Sequence, residues 1–133
     1  MSRLRSILGQ LRAPRRLSQR GEQIAARFLR RRGYRILGKN VRNRFGEIDL
    51  VAQAPDRRTI VVVEVKSGSS GPIPPEVHVN RPKQRKLAAL AAQLARRHGL
   101  ENRPFRFDVI GVDLPEGAEP VVRHHEGSFP SPI

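Results

Sequence analysis

Over residues 18–32 the apolar positions Ile24, Ala25, Phe28 and Leu29 recur three and four apart, the spacing of one face of an α-helix. Ser18 suits the N-cap and Gly33 the left-handed position that ends a helix. Residues 34–41 then read as a first strand, and 43–46 as a turn. The second strand, residues 47–52, alternates, which predicts Ile48, Leu50 and Ala52 on one face and Glu47, Asp49 and Val51 on the other. A turn at 54–57 leads to residues 59–66, a β-branched run strong enough for a central strand. Its short connection to the strand before it predicts an antiparallel pair. Glycines and prolines make residues 67–75 a loop. A second helix is expected from near Pro82 to His98, with Leu87, Leu90, Ala91 and Leu94 as its buried stripe and Gly99 as its stop. Strands at 105–112 and 120–124 complete an α/β order of α-β-β-β-α-β with one further strand. Residues 1–17, with Pro14 interrupting any helix, are expected to form a flexible basic arm. Residues 18–127 should form a single domain and 128–133 a disordered tail.

Charge sharpens this outline. The chain of 133 residues holds 26 Lys and Arg against 12 Asp and Glu, a net charge of +14. Residues 1–44 carry 14 of the basic groups and one acid, Glu22, so nearly the whole imbalance sits in the first third. Such a field attracts a phosphate polyanion by counterion release and Arg-phosphate hydrogen bonds, which makes nucleic acid, and DNA first, the expected partner. A solvated tail is the bland alternative. An anionic membrane surface is the other, but Leu4, Ile7, Leu8 and Leu11 form a short stripe without Trp or Phe. The absence of cysteine excludes disulfides, thiolate metal sites and a cysteine nucleophile. No apolar run spans a bilayer and the first residues lack the apolar core of a secretory signal, so a cytoplasmic location is expected.

Three charged groups stand where a plain strand would not put them. Glu64 interrupts an apolar run, Lys66 follows on the same face, and Asp49 lies in the neighbouring strand. Opposed or diagonal positions of an antiparallel pair bring Asp49 and Glu64 close to one point. Two such carboxylates repel unless one is protonated or both share a cation. Mg²⁺, or Mn²⁺ in its place, resolves this with Asp49, Glu64 and the Val65 carbonyl as ligands, while Lys66 points at a phosphate or the attacking water. The competing reading is a weak Glu64–Lys66 pair on an exposed sheet edge, and periodicity leaves both open. Glu22 shares the inward helical face of Ala25, Ala26 and Leu29, so it either approaches the strand site or simply favours the helix N-terminal turn. His78, His98, His124 and His125 show no ligand spacing and are expected at the surface. Asp108 is expected in a buried structural ion pair.

Asp49 within Gly46-Glu47-Ile48-Asp49, followed by Glu64-Val65-Lys66, resembles the PD-(D/E)xK nuclease signature. More closely, Gly21-Glu22, Gly33-Tyr34, Asn40, Gly46 to Leu50, Val63 to Lys66, Lys83 and Phe107-Asp108-Val109 resemble the small bacterial YraN family over residues 18–125. That resemblance implies a restriction-endonuclease-like core with a mixed central sheet, similar also to archaeal Holliday-junction resolvases. It implies Glu22, Asp49, Glu64 and Lys66 as the active-site set of a Mg²⁺-dependent nuclease, with a catalytically inactive nucleic-acid-binding module as the alternative. A two-fold homodimer would suit a branched substrate. Arg15, Arg16, Arg20, Arg42 and Arg44 are the expected phosphate contacts of the basic third. The sequence departs from the family pattern at Gly68 and Ser70, where the family commonly carries a basic and an aromatic residue. Arg81, Lys83, Arg85 and Lys86 on the second helix are expected to compensate.

Overall fold

The computed structural model of the chain describes residues 17–44, 46–68 and 79–129. Helix α1 (Leu17–Arg31) precedes strands β1 (Arg35–Asn43), β2 (Gly46–Gln53) and β3 (Ile60–Gly68). Helix α2 (Arg81–His98) and strands β4 (Phe105–Asp113) and β5 (Val121–Phe129) follow. The five strands form one sheet in chain order. Neighbours are antiparallel except β3 and β4, which run parallel across the α2 crossover, so the sheet is mixed and the α-β-β-β-α-β core is present.

The Pro82 and Gly99 signals act where their chemistry predicts, whereas Ser18, expected as the N-cap of α1, lies inside a helix that already begins at Leu17. Asn80 caps α2 by accepting the Lys83 N–H at 3.0 Å, Pro82 occupies the first turn, and Gly99 closes the helix at φ 68°. β3 is buried on both faces because a helix covers each side of the sheet. Val61 and Val63 face a core with Ala25, Ala26 and Leu29 of α1, whereas Ile60 and Val62 face one with Leu87, Leu90 and Leu94 of α2. Among the described residues no helix is long and apolar enough to cross a membrane.

Three expectations need correction. Ile48 joins the α2 core whereas Leu50 and Ala52 join the α1 core, and Val51 is fully buried with Ile48 rather than lying on a polar face. The alternation slips across Asp49, where β2 leaves its ladder with β3: the last paired residues are Leu50 and Val63. The expected tail at 128–133 begins too early, since β5 extends to Phe129, which is buried with its ring 5.0 Å from that of Phe107. Leu17, assigned to the arm, already belongs to α1. Residues 1–16 and 130–133, and with them Arg15 and Arg16, lie outside the described residues, as do Ser70 and His78.

Gly21 sets the distance between α1 and the sheet. A Cβ built there would meet Ser67 Cβ at 2.7 Å and Ser67 Oγ at 2.8 Å, so only glycine lets the helix lie this close to β3. Replacing Gly21 with Val is expected to lower stability by about 2 kcal/mol, read from urea unfolding, and to weaken any metal binding that involves Glu22, the next residue. An unchanged midpoint would show that α1 can lift without loss.

Candidate functional site

Where β2 and β3 part, side chains from both faces of the sheet reach the same place. Asp49 Oδ2 accepts the Val65 N–H at 2.8 Å, so the carboxylate stands where the next ladder bond would have been. Glu22 arrives from α1 and Glu47 from the start of β2, and ligand oxygens of Glu22, Glu47 and Asp49 all lie within 4.8 Å of one another. Among the described residues this is the one group of three or more His, Cys, Asp or Glu side chains so gathered. Glu64, also buried, stands beside Asp49 on β3, and its Oε2 lies 3.6 Å from Lys66 Nζ and 3.2 Å from Lys83 Nζ. An open cleft of about 210 Å³ runs over these groups, lined by the acids and by Gly46, Val65, Lys83, Lys86, Leu87 and Leu90.

The electrostatics follow from that crowding. Burial, then the neighbouring charges of Glu64 and Glu22, push the Asp49 carboxyl from 3.8 up to about 8, against the Val65 N–H, which acts the other way. The exposed-edge reading of Glu64 and Lys66 does not hold, because β3 lies between β2 and β4 and Glu64 is only 4% exposed. Glu22 is likewise buried, at 3% exposure.

Glu22, Asp49, Glu64 and Lys66 come together. Glu47, which is not among the candidates of the sequence analysis, joins them; the two-residue spacing that sets it on the side of Asp49 is its signal in the sequence. Lys83 and Lys86, three apart on α2, both line the cleft, whereas the exposed Arg85 is not among its lining residues. Arg20, Arg42 and Arg44 are exposed, and Arg42 lines a separate groove between the β1–β2 hairpin and α2. Asn40, opposite Asp49 in the β1–β2 register, is buried with a left-handed φ of 50°.

Asp108 sits in the structural network expected of it. Burial alone would raise its carboxyl, but hydrogen bonds from His124, Arg106 and the Gly127 N–H outweigh that and hold it below the usual carboxylate range. Arg106 also donates to the Tyr34 hydroxyl at 2.6 Å. His124 is therefore not a surface residue: its side chain is 6% exposed and packs edge-on against Phe28 and Tyr34. The hydrogen bonds of Asp108 tie β5 to β4, because Gly127 and His124 both belong to β5.

A family model described as Uncharacterised protein family UPF0102 matches residues 21–112, which include every acid of the cluster, Lys66 and Lys83. The chain belongs to this family. UPF0102 is the YraN family that the motifs resemble. A UPF0102 protein of Symbiobacterium thermophilum is 50% identical over 101 residues, covering 74% of this chain and 83% of its own. A UPF0102 protein of Pelobacter propionicus is 40% identical over 116 residues, covering 86% and 83%. One of Alkaliphilus oremlandii is 44% identical over 112 residues, covering 82% and 93%.

Proposed function

We propose that this UPF0102 chain is a divalent-metal-dependent endonuclease that hydrolyses phosphodiester bonds in DNA. The observation that carries the reading is the convergence of Glu22, Glu47 and Asp49 within 4.8 Å, beside Glu64 and Lys66, where the sheet opens. The donor set is all oxygen, from carboxylates on α1 and β2 with Glu64 of β3 beside them, and it fits a hard cation such as Mg²⁺ or Mn²⁺. Burial and the neighbouring charges of Glu64 and Glu22 raise the Asp49 carboxyl to about 8, an unfavourable crowding of acids that a shared positive charge would relieve. A bound divalent cation would supply positive charge that polarises a phosphoryl oxygen and activates water.

The remaining work falls to the chain's own groups. Asp49, fixed through the Val65 N–H, and the buried Glu22 hold the acids in position without rearrangement at the moment of reaction. Lys66, anchored near Glu64 at 3.6 Å, directs an ammonium at the phosphate or at the attacking water. Lys86 on the cleft rim, with the exposed arginines of the first third, provides the salt-dependent grip on the DNA backbone.

The test incubates pure protein with labelled linear and branched DNAs, and with single-stranded DNA and RNA, in Mg²⁺, in Mn²⁺ and in chelator. Metal-dependent cleavage that disappears in Glu64→Gln supports the reading. Tight binding without cleavage of any substrate would turn it into a nucleic-acid-binding module, and neither binding nor cleavage would end it.

A further inference from the structure

Glu64 is approached by two lysines. Lys66 comes from its own strand, with Nζ 3.6 Å from Oε2, and Lys83 comes across the cleft from the first turn of α2, with Nζ 3.2 Å from the same oxygen. The root of Lys83 is fixed. Its N–H is bonded to Asn80 Oδ1 at 3.0 Å, and Gln84 beside it ties the turn down through the Asn80 and Val79 carbonyls. The side chain itself is 42% exposed, so its head can move while its base stays in place. The Glu64 side chain, at 5% exposure, has no such latitude and needs positive partners where it stands.

We propose that Lys83 is a second lysine of the reaction site, which neutralises Glu64 while the carboxylates hold no divalent cation and turns to a substrate phosphate oxygen once they do. The inference rests on the metal-dependent reading above. An ammonium 3.2 Å from Glu64 Oε2 occupies the charge and much of the space that a cation on the same carboxylate needs. The two cations repel, and the compact head on a four-carbon stem reorients at little cost. Displaced from Glu64, the head stays over the cleft it lines, which is where a phosphate must lie to reach the acids. Lys66 differs in this respect, because it rises from β3 two residues beyond Glu64 and keeps that side of the carboxylate.

Lys83 therefore acts as a competitor of the metal and a helper of the substrate, two effects of opposite sign that a merely structural lysine would not produce. The test uses the full chain as wild type, Lys83→Met, Lys83→Arg and, as a control, Arg96→Met on the exposed last turn of α2. Mn²⁺ affinity is measured by calorimetry, and single-turnover cleavage is measured on a DNA that the wild type cuts. Lys83→Met is expected to bind Mn²⁺ about 5-fold more tightly, through loss of the competing charge. It should also cleave about 30-fold more slowly at saturating metal, through loss of a preorganised cation. Lys83→Arg should keep the competition and recover part of the rate, and Arg96→Met should match wild type in both. Unchanged or weaker Mn²⁺ affinity in Lys83→Met overturns the proposal, and so does tighter metal binding with an unchanged rate. If the wild type binds Mn²⁺ but cuts nothing, the nuclease reading fails and the phosphate step falls with it, while calorimetry still decides the competition at Glu64. If the wild type binds no Mn²⁺, both fail.

Discussion

Asp49→Asn is expected to lower Mn²⁺ affinity about 100-fold or more, and at the same time to make the metal-free protein melt about 5 °C higher at pH 8. The two halves share one cause. Asparagine keeps an oxygen that can accept the Val65 N–H, so the local backbone is undisturbed, but it removes the carboxylate whose burial beside Glu64 and Glu22 is unfavourable. The folded-state pKa of Asp49, about 8, lies above its ordinary 3.8. Its contribution to stability is therefore complete below about pH 4 and is lost as the pH rises through about 8. Metal-free wild type should lose stability across that interval, and Asp49→Asn should flatten the loss. Mn²⁺ should restore the wild type alone, because only a site that binds the ion gains from mass action. Calorimetry gives the affinity, and thermal melts at several pH values, with and without Mn²⁺, give the rest. Wild-type metal affinity in the variant, or a melting difference that does not grow with pH, would remove Asp49 from the site.

Lys66→Ala is expected to slow single-turnover cleavage by about 100-fold while changing DNA affinity little. The reason is differential: a lysine that stabilises charge developing on the phosphate, or aligns the attacking water, acts on the transition state more than on bound DNA. Lys66→Arg should recover little, since a guanidinium is larger, planar and unable to release its proton near neutral pH. Binding is read in Ca²⁺ and cleavage in Mg²⁺. Equal cleavage rates in wild type and Lys66→Ala would exclude the role. The contrast with Lys83→Met is informative, because tighter Mn²⁺ binding is expected there from removing the lysine that reaches Glu64 across the cleft.

Much of the fold was legible because short-range rules govern it. The helical spacing of Ile24, Ala25, Phe28 and Leu29, the β-branched run ending at Val63, and the Pro82 and Gly99 signals around α2 each act within a few residues. The same rules marked Glu64 as an acid in an apolar strand and left Glu22 open between the strand site and the helix N-terminal turn, and the motif resemblance implied Glu22, Asp49, Glu64 and Lys66 as one set. The surface assignment of His124 failed for a long-range reason. Its partners Asp108, Phe28 and Tyr34 come from β4, from α1 and from the segment between α1 and β1, and only the finished fold assembles them.

Local patterns in the sequence marked the acids at 22, 49 and 64 and the lysine at 66 as candidates, in a chain that otherwise favours arginine. Tertiary structure alone decided how they meet. Strict alternation would have kept Ile48 and Leu50 on one face, but the β2–β3 ladder ends at Leu50 and Val63, and Asp49 turns into the opening. Strand periodicity says which side chains share a face only while the ladder lasts, and it says nothing of what a helix brings from across the sheet. Gly21 lets α1 carry Glu22 to one side of that opening, and the capped first turn of α2 carries Lys83 to the other. No local pattern encodes those two approaches, since each depends on the packing of a helix against strands distant in the chain.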